Sequence, residues 1–438
     1  MTASAERLTY SRIFRFWSPL ATTWLLMAAE GPLLAALIAR MEAPVPNLAA
    51  FGVAYAFALV AEAPVIMLMS AATALCRDAE SYRRLRSFTL LLSGGVTLLL
   101  GTLVIPTVFD RICVQWIGLP PEIAEPTWQA LLWLLPWPGA IGLRRFYQGV
   151  LIADGRTRRV TVGTLARVSS MAVSGFTLAA VGVLPGAAAG GLALAVGVVA
   201  EMLVARRLTR PSIKRLLRLS GEGEPLDFRG ITRFYLPLAM TPLIALSVQP
   251  VVTFFLGRGR FPIESLAVLP VLYGLTFIFR ALGLSYQEAA IALVGRKLEH
   301  RREGGRFALV LGFFCVATLA LIALTPLADL WLRGISGLEP TLADFARLPL
   351  MLMCLLPGMT VWITWQRSLL VLAKRTTPVS TATAVEALAI LALLALFIPW
   401  LDWPGISIAA LALTAGRMLG ICYLMPHCRR LAEVPISR

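Results

Sequence analysis

Apolar residues run along this chain in long blocks, separated by short stretches rich in arginine, proline and glycine. A helix needs about 20 mostly apolar residues to cross the hydrocarbon core of a bilayer. On that criterion the pattern predicts twelve membrane-spanning helices, over 17–38, 48–72, 87–109, 127–150, 160–182, 186–205, 234–256, 265–293, 307–328, 348–372, 379–400 and 405–425. The first block carries Pro19, Glu30 and Pro32 and lacks a clear small-residue cleavage site, so it reads as a retained span and not a signal peptide.

The blocks repeat. Residues 15–40 (RFWSPLATTWLLMAAEGPLLAALIAR) match residues 233–258 (RFYLPLAMTPLIALSVQPVVTFFLGR) at nine of 26 positions, at an offset of 218. The matches include Arg15/Arg233, Pro19/Pro237, Pro32/Pro250 and Arg40/Arg258. Further on the offset is 219, with Pro138-Gly139 against Pro357-Gly358 and Pro185-Gly186 against Pro404-Gly405. Six spans per half bring both halves into the membrane from the same side, so the repeats are parallel. The expected architecture is an all-α polytopic membrane protein of two parallel six-helix repeats. Its parts are an amino-terminal lobe over 1–205, a basic linker over 206–232 with a surface helix near 211–219, and a carboxy-terminal lobe over 233–438.

Charge gives an orientation. The chain of 438 residues is 58% hydrophobic and 15% charged, with a net charge of +16. In a soluble protein such an excess would suggest nucleic acid; here lysine and arginine sort by loop. One set of loops and both termini hold 28 of them, the opposite loops six, and six arginines lie inside spans. The positive-inside rule then puts both termini in the cytoplasm, for a multi-pass protein of the plasma (bacterial inner) membrane, in contact with lipid and not with nucleic acid.

Ionisable groups inside spans are costly, so they are the candidate functional residues. Arg144, Arg145 and Gln148 share one face of the fourth span; Thr360, Thr364 and Arg367 share one face of the tenth. With Arg280 and Arg417 they form a candidate substrate-binding set, because arginine forks suit carboxylate and phosphate. Glu30, Glu62, Arg167, Glu201 and Glu386 are candidates for coupling or gating. Glu62 is repeat-equivalent to Arg280, Arg167 to Glu386, and Glu201 lies within three residues of the equivalent of Arg417. Such sign-swapped pairs could meet as gates or as structural ion pairs, leaving Arg144, Arg145 and Arg367 in excess unless Glu288 serves one of them. Snorkelling to headgroups is the alternative for Arg144 and Arg145. Glu30 could carry a coupling proton; a structural acid is the other reading.

Three stretches resemble a known family: FWSPLATTWLL with LAAFGVAYAF near the start, RFYLPLAM opening the second half, and LPGMTVWITWQRSLLVLAKRTTPV across spans ten and eleven. They are similar to the progressive ankylosis protein family of the multidrug/oligosaccharidyl-lipid/polysaccharide (MOP) flippase superfamily, whose fold is MATE-like. The resemblance implies a secondary transporter that exports small anions such as pyrophosphate, nucleotides or citrate by alternating access, coupled to a proton or sodium ion. A lipid-linked precursor flippase and a MATE-type multidrug exporter are the alternatives. The exporter should prefer acidic and aromatic cavity walls, and the arginine excess weighs against it.

Other classes find little support. The only histidines are His300 and His427, both in loops, so no metal or haem cofactor held by several histidines is expected. There is no P-loop motif, and every aspartate falls in a loop or at a span end, so a membrane-embedded enzyme is disfavoured. The six cysteines form no C-x-x-C pair and read as small buried hydrophobes.

Overall fold

A computed structural model of the protein describes residues 8–28, 30–117, 119–219, 227–295 and 298–433. In chain order these form α1 (Tyr10–Ala28), α2 (Glu30–Ile38), α3 (Pro44–Glu62), α4 (Leu68–Leu75), α5 (Ala79–Val104), α6 (Pro106–Phe109), α7 (Pro121–Leu134), α8 (Trp137–Ala153), α9 (Thr157–Val181), α10 (Gly186–Leu216), α11 (Phe228–Leu256), α12 (Pro262–Leu293), α13 (Arg301–Leu324), α14 (Leu327–Asp329), α15 (Pro340–Met353), α16 (Leu356–Leu372), α17 (Thr377–Trp400) and α18 (Gly405–Glu433). Ten helical stretches among the described residues are long and apolar enough to cross a membrane. They correspond to the expected spans two, three and five to twelve.

The other two expected spans are helical in two pieces. The first is α1 and α2, on either side of residue 29, which lies outside the described residues. The fourth is α7 and α8, joined at Leu135 and Pro136. That text is less apolar because it carries Gln129, Pro126, Pro136, Pro138, Arg144 and Arg145. The linker also differs from its sequence reading. No separate surface helix forms over 211–219, because α10 continues unbroken to Leu216 with Pro211 inside it. Residues 220–226 lie outside the described residues.

The exterior is apolar, as a bilayer requires. Leu91 and Leu98 on α5 and Phe313 on α13 are each more than 70% exposed. The inward helices carry the polar residues. On α8, fourteen of seventeen residues are buried, including Arg144, Arg145 and Gln148. Its repeat equivalent α16 is similarly enclosed.

Packing divides the chain into two compact units, Thr22–Ala239 and Met1–Ala21 with Met240–Arg438, called here the amino and carboxy units. The division falls inside α1 and α11. Trp17 donates to the Leu282 carbonyl at 3.3 Å within the carboxy unit, and its equivalent Tyr235 donates to the Pro64 carbonyl at 2.6 Å within the amino unit.

Several contacts recur at repeat-equivalent positions of the two units. Ala43 (φ 47°) and Phe261 (φ 52°) are left-handed at the starts of α3 and α12, each followed by a proline. Asn47 Oδ1 accepts from the Ala187 amide at 2.9 Å; Ser265 Oγ accepts from the Ile406 amide at 3.3 Å. Thr209 Oγ1 donates to the Tyr147 carbonyl at 3.4 Å; Cys428 Sγ donates to the Gln366 carbonyl at 3.7 Å. Gly197 on α10 lies so close to α9 that an added Cβ would meet the Arg167 carbonyl oxygen at 3.0 Å. Gly416 on α18 stands in the same relation to the Glu386 carbonyl of α17, also at 3.0 Å.

Candidate functional site

In the amino unit the in-span charges converge on Glu201. A buried charge without a partner is prohibitively costly, and α8 is too enclosed for Arg144 to reach water. Glu201 on α10 is fully buried and holds three groups. Its Oε2 accepts from Arg144 Nη1 at 2.5 Å, and its Oε1 accepts from Gln148 Nε2 and Thr164 Oγ1, both at 2.9 Å. Arg167 on α9 lies 3.7 Å from the same carboxylate and donates to Glu30. Arg145 Nη1 contacts Met69 Sδ at 3.9 Å, with its guanidinium 5.8 Å from the centre of the Trp24 ring. Glu62 ends α3 just before the single 3-10 turn at Ala63–Val65; its Oε2 is buried without a hydrogen-bond partner. Arg145, Arg144 and Arg167 are the cations facing Glu62, and Tyr55 faces Glu62, Arg167 and Glu30.

The equivalent place in the carboxy unit is open. A cavity of about 600 Å³ lies among α11, α12, α16, α17 and α18. Its charged lining is Arg280, Arg367, Arg417 and Glu386. Arg417 Nε donates to Glu386 Oε1 at 2.6 Å, and its Nη1 donates to Thr360 Oγ1 at 3.1 Å. Arg367 Nη2 donates to Thr383 Oγ1 at 2.9 Å. Among the described residues of its unit, Arg280 has no carboxylate at ion-pair distance; Arg417, Glu386 and Tyr273 act on it electrostatically. The Nε of Arg280 and the Nε of Arg367 are both buried without a hydrogen-bond partner.

Several expected pairings are replaced. Arg167 does not take Glu386, and Glu201 does not take Arg417: Arg167 binds Glu30 and Glu201, while Arg417 binds Glu386. Arg144, expected to be in excess, is ion-paired with Glu201, and neither Arg144 nor Arg145 is exposed enough to snorkel. The reason is geometric. Each of these ion pairs is formed between helices of one unit. Glu62 and Arg280 belong to different units. Among the described residues of its unit, Arg367 has no acid at ion-pair distance, although Glu386 acts on it electrostatically. Thr364 is buried on α16 and does not line the cavity.

Four contributors escaped the sequence reading: Thr164 and Thr383, and Tyr55 and Tyr273. Each is a repeat-equivalent pair at the offset of 219 or 218. A search for uncharged polar residues kept across the repeat would have found them.

Solved structures share this architecture over nearly the whole chain. A mutant of the Vibrio cholerae MATE transporter VcmN superposes with a TM-score of 0.77 at 16% identity, over 96% of each chain. A multidrug resistance MATE family transporter of the MOP superfamily, in an outward-facing conformation, gives 0.76 at 13% identity, over 97% of this chain and 96% of the other. The fold is that of the MATE transporters. A MOP superfamily transporter from Pyrococcus furiosus, described as having a binding pocket of reverse polarity that suggests a different function, gives 0.66 at 12% identity over 97% and 96%. No family model and no curated protein matches the sequence. This MATE-like, multi-pass membrane fold thus carries a charge-compensated cluster in one unit and an arginine-lined cavity in the other.

Proposed function

We propose that the protein is a secondary transporter that exports an organic or phosphate-bearing anion by alternating access, with the carboxy-unit cavity as its anion site. One observation carries this reading: three arginines face one glutamate in the cavity, and two of them present a buried Nε–H with no acceptor. A buried donor left unsatisfied costs about 1–3 kcal/mol, and a carboxylate or phosphate oxygen would satisfy it. Arg367 and Arg280 are the primary contacts; Arg417, held by Glu386 and Thr360, adds field.

The MATE fold supports alternating access, and the likeness to the progressive ankylosis family supports export and the anion class. An exporter of organic cations would favour acids on these walls. The P. furiosus transporter is a MOP protein for which reversed pocket polarity is described. Coupling to a proton or sodium ion falls to the amino unit, where Glu62 has an unpartnered oxygen and Glu30 shares Arg167 with Glu201. The asymmetry of basic loops supports cytoplasmic termini and insertion in the bacterial inner membrane.

The test is anion efflux from cells overproducing the protein, with extracellular anions profiled against cells carrying Arg367→Gln. Each hydrogen bond to a charged group contributes about 1.5–3 kcal/mol, so substrate affinity should fall roughly ten- to a hundredfold with insertion unchanged. Lysine at this position should rescue only in part, because the guanidinium fork is lost. An unchanged anion profile in the inserted Arg367→Gln protein would refute this site.

A further inference from the structure

The cavity has a charged part and a mostly apolar part. Leu298, Leu369 and Cys428 line one small pocket, so the ends of α16 and α18 and the residues following α12 meet at one end of the carboxy unit. α12 and α16 run toward that end, α17 runs away from it and α18 returns to it. Arg367, Glu386, Arg417 and Arg280, with Thr383 beside them, form the charged tier of the lining.

Beyond that tier the lining is mostly apolar, with Gln249 on α11 and the Tyr273 hydroxyl on α12 as its polar groups. α17 presents Ile390 after Glu386, and α18 presents Leu413 before Arg417, each about 6 Å deeper at 1.5 Å per residue. α12 presents Phe277 and Tyr273, the latter about 10 Å from Arg280, and α16 presents Leu356, about 16 Å from Arg367. α11 closes the side with Leu246 and Val248. Val248 stands where the amino unit has Glu30, so the apolar wall replaces an acid. Leu284 is the one apolar lining residue on the other side of Arg280.

We infer that the occupant of this cavity is an amphipathic organic anion, with a carboxylate or phosphate head at Arg280 and Arg367 and an apolar or aromatic body against Ile390, Leu413, Phe277 and Leu356. This rests on the anion reading of the same cavity and narrows it. A compact, fully hydrated anion such as pyrophosphate or citrate would satisfy the arginines but leave the apolar tier facing water. Ligand sites of this size are mostly apolar, with a few placed polar groups that orient the ligand. The charged tier orients the head, and the apolar tier selects the body.

The experiment is equilibrium binding to the full chain in lipid nanodiscs, with pyrophosphate, citrate and 1-naphthyl phosphate as probes. Naphthyl phosphate should bind at least about tenfold tighter than either hydrophilic anion, since its ring removes apolar surface from water. Leu413→Asn should weaken naphthyl phosphate several-fold and leave pyrophosphate unchanged. Pyrophosphate or citrate binding as tightly as naphthyl phosphate, with both dependent on Arg367, would overturn the inference and leave the anion site standing. Naphthyl phosphate binding indifferent to Leu413→Asn, Arg280→Gln and Arg367→Gln would be partition into lipid, and would also overturn it. If no probe bound, or if the arginine variants changed nothing for any probe, the anion site itself would fall.

Discussion

The amino-unit cluster and the carboxy-unit cavity occupy the same place in two copies of one bundle, yet one is closed and neutral and the other open and positive. Gln148 corresponds to Arg367, Thr164 to Thr383, Arg167 to Glu386, Glu62 to Arg280 and Tyr55 to Tyr273. The decisive differences are three lost acids: Glu30 becomes Val248, Glu62 becomes Arg280, and Glu201 becomes Gly420. With Glu201 present, one carboxylate gathers Arg144, Gln148 and Thr164 and fills the space between α8, α9 and α10. With glycine in its place there is no carboxylate to gather them: Ile363, the equivalent of Arg144, packs beside Gly420, and Arg280, Arg367 and Arg417 line the cavity. A repeated fold can thus divide its labour through a few side chains: one copy balances its buried arginines with acids, the other lines a cavity with a surplus of arginines.

The largest effect should separate the two units by stability. Glu201→Gln leaves Arg144 buried without its counter-charge, and breaking such a pair costs about 3–5 kcal/mol. Glu386→Gln should cost only about 1 kcal/mol, because Arg417 borders the cavity and retains Thr360. Thermal unfolding in lipid nanodiscs measures both, and equal losses would erase the distinction between lock and site.

A second test probes what the units share. Gly197→Ala and Gly416→Ala each push a methyl group against a carbonyl oxygen of the neighbouring helix. Both should destabilise by about 1–3 kcal/mol, and by similar amounts, since the contact is the same. A loss confined to one unit, read from the same unfolding curves, would mean that the helix pairs α9–α10 and α17–α18 are not packed alike.

The smallest effect concerns the tuning of the site. Thr383→Val removes the acceptor of Arg367. One hydrogen bond to a charged group, in a site open to water, should change anion affinity by about three- to tenfold. The direction is informative. Weaker binding would show that Thr383 positions the guanidinium, whereas tighter binding would show that the hydroxyl competes with the anion for it.

Much of this was legible in the chain. The spans, the parallel repeat and the in-span charged residues follow from hydropathy and from the offset of 218 to 219, and the structure bears out the fold they implied. Arg367 stood out because the in-span acids of the second half are Glu288 and Glu386, and Glu386 is the repeat equivalent of Arg167. The partners of Arg144, Arg167 and Arg417 were not legible. The repeat tells which residues are equivalent, and equivalence was read as proximity.

What the sequence by itself determined is therefore the inventory: which stretches enter the membrane, that they form two copies of one design, and which residues bring charge into a medium that tolerates none. The tertiary structure alone decided the pairing and the void. An arginine can reach a carboxylate only across a helix–helix contact, and those contacts are set by how α8, α9 and α10, or α16, α17 and α18, close on one another. Whether a position such as Gly420 leaves space or lets a neighbour fill it depends on that close packing of many side chains. No single stretch of sequence carries that information.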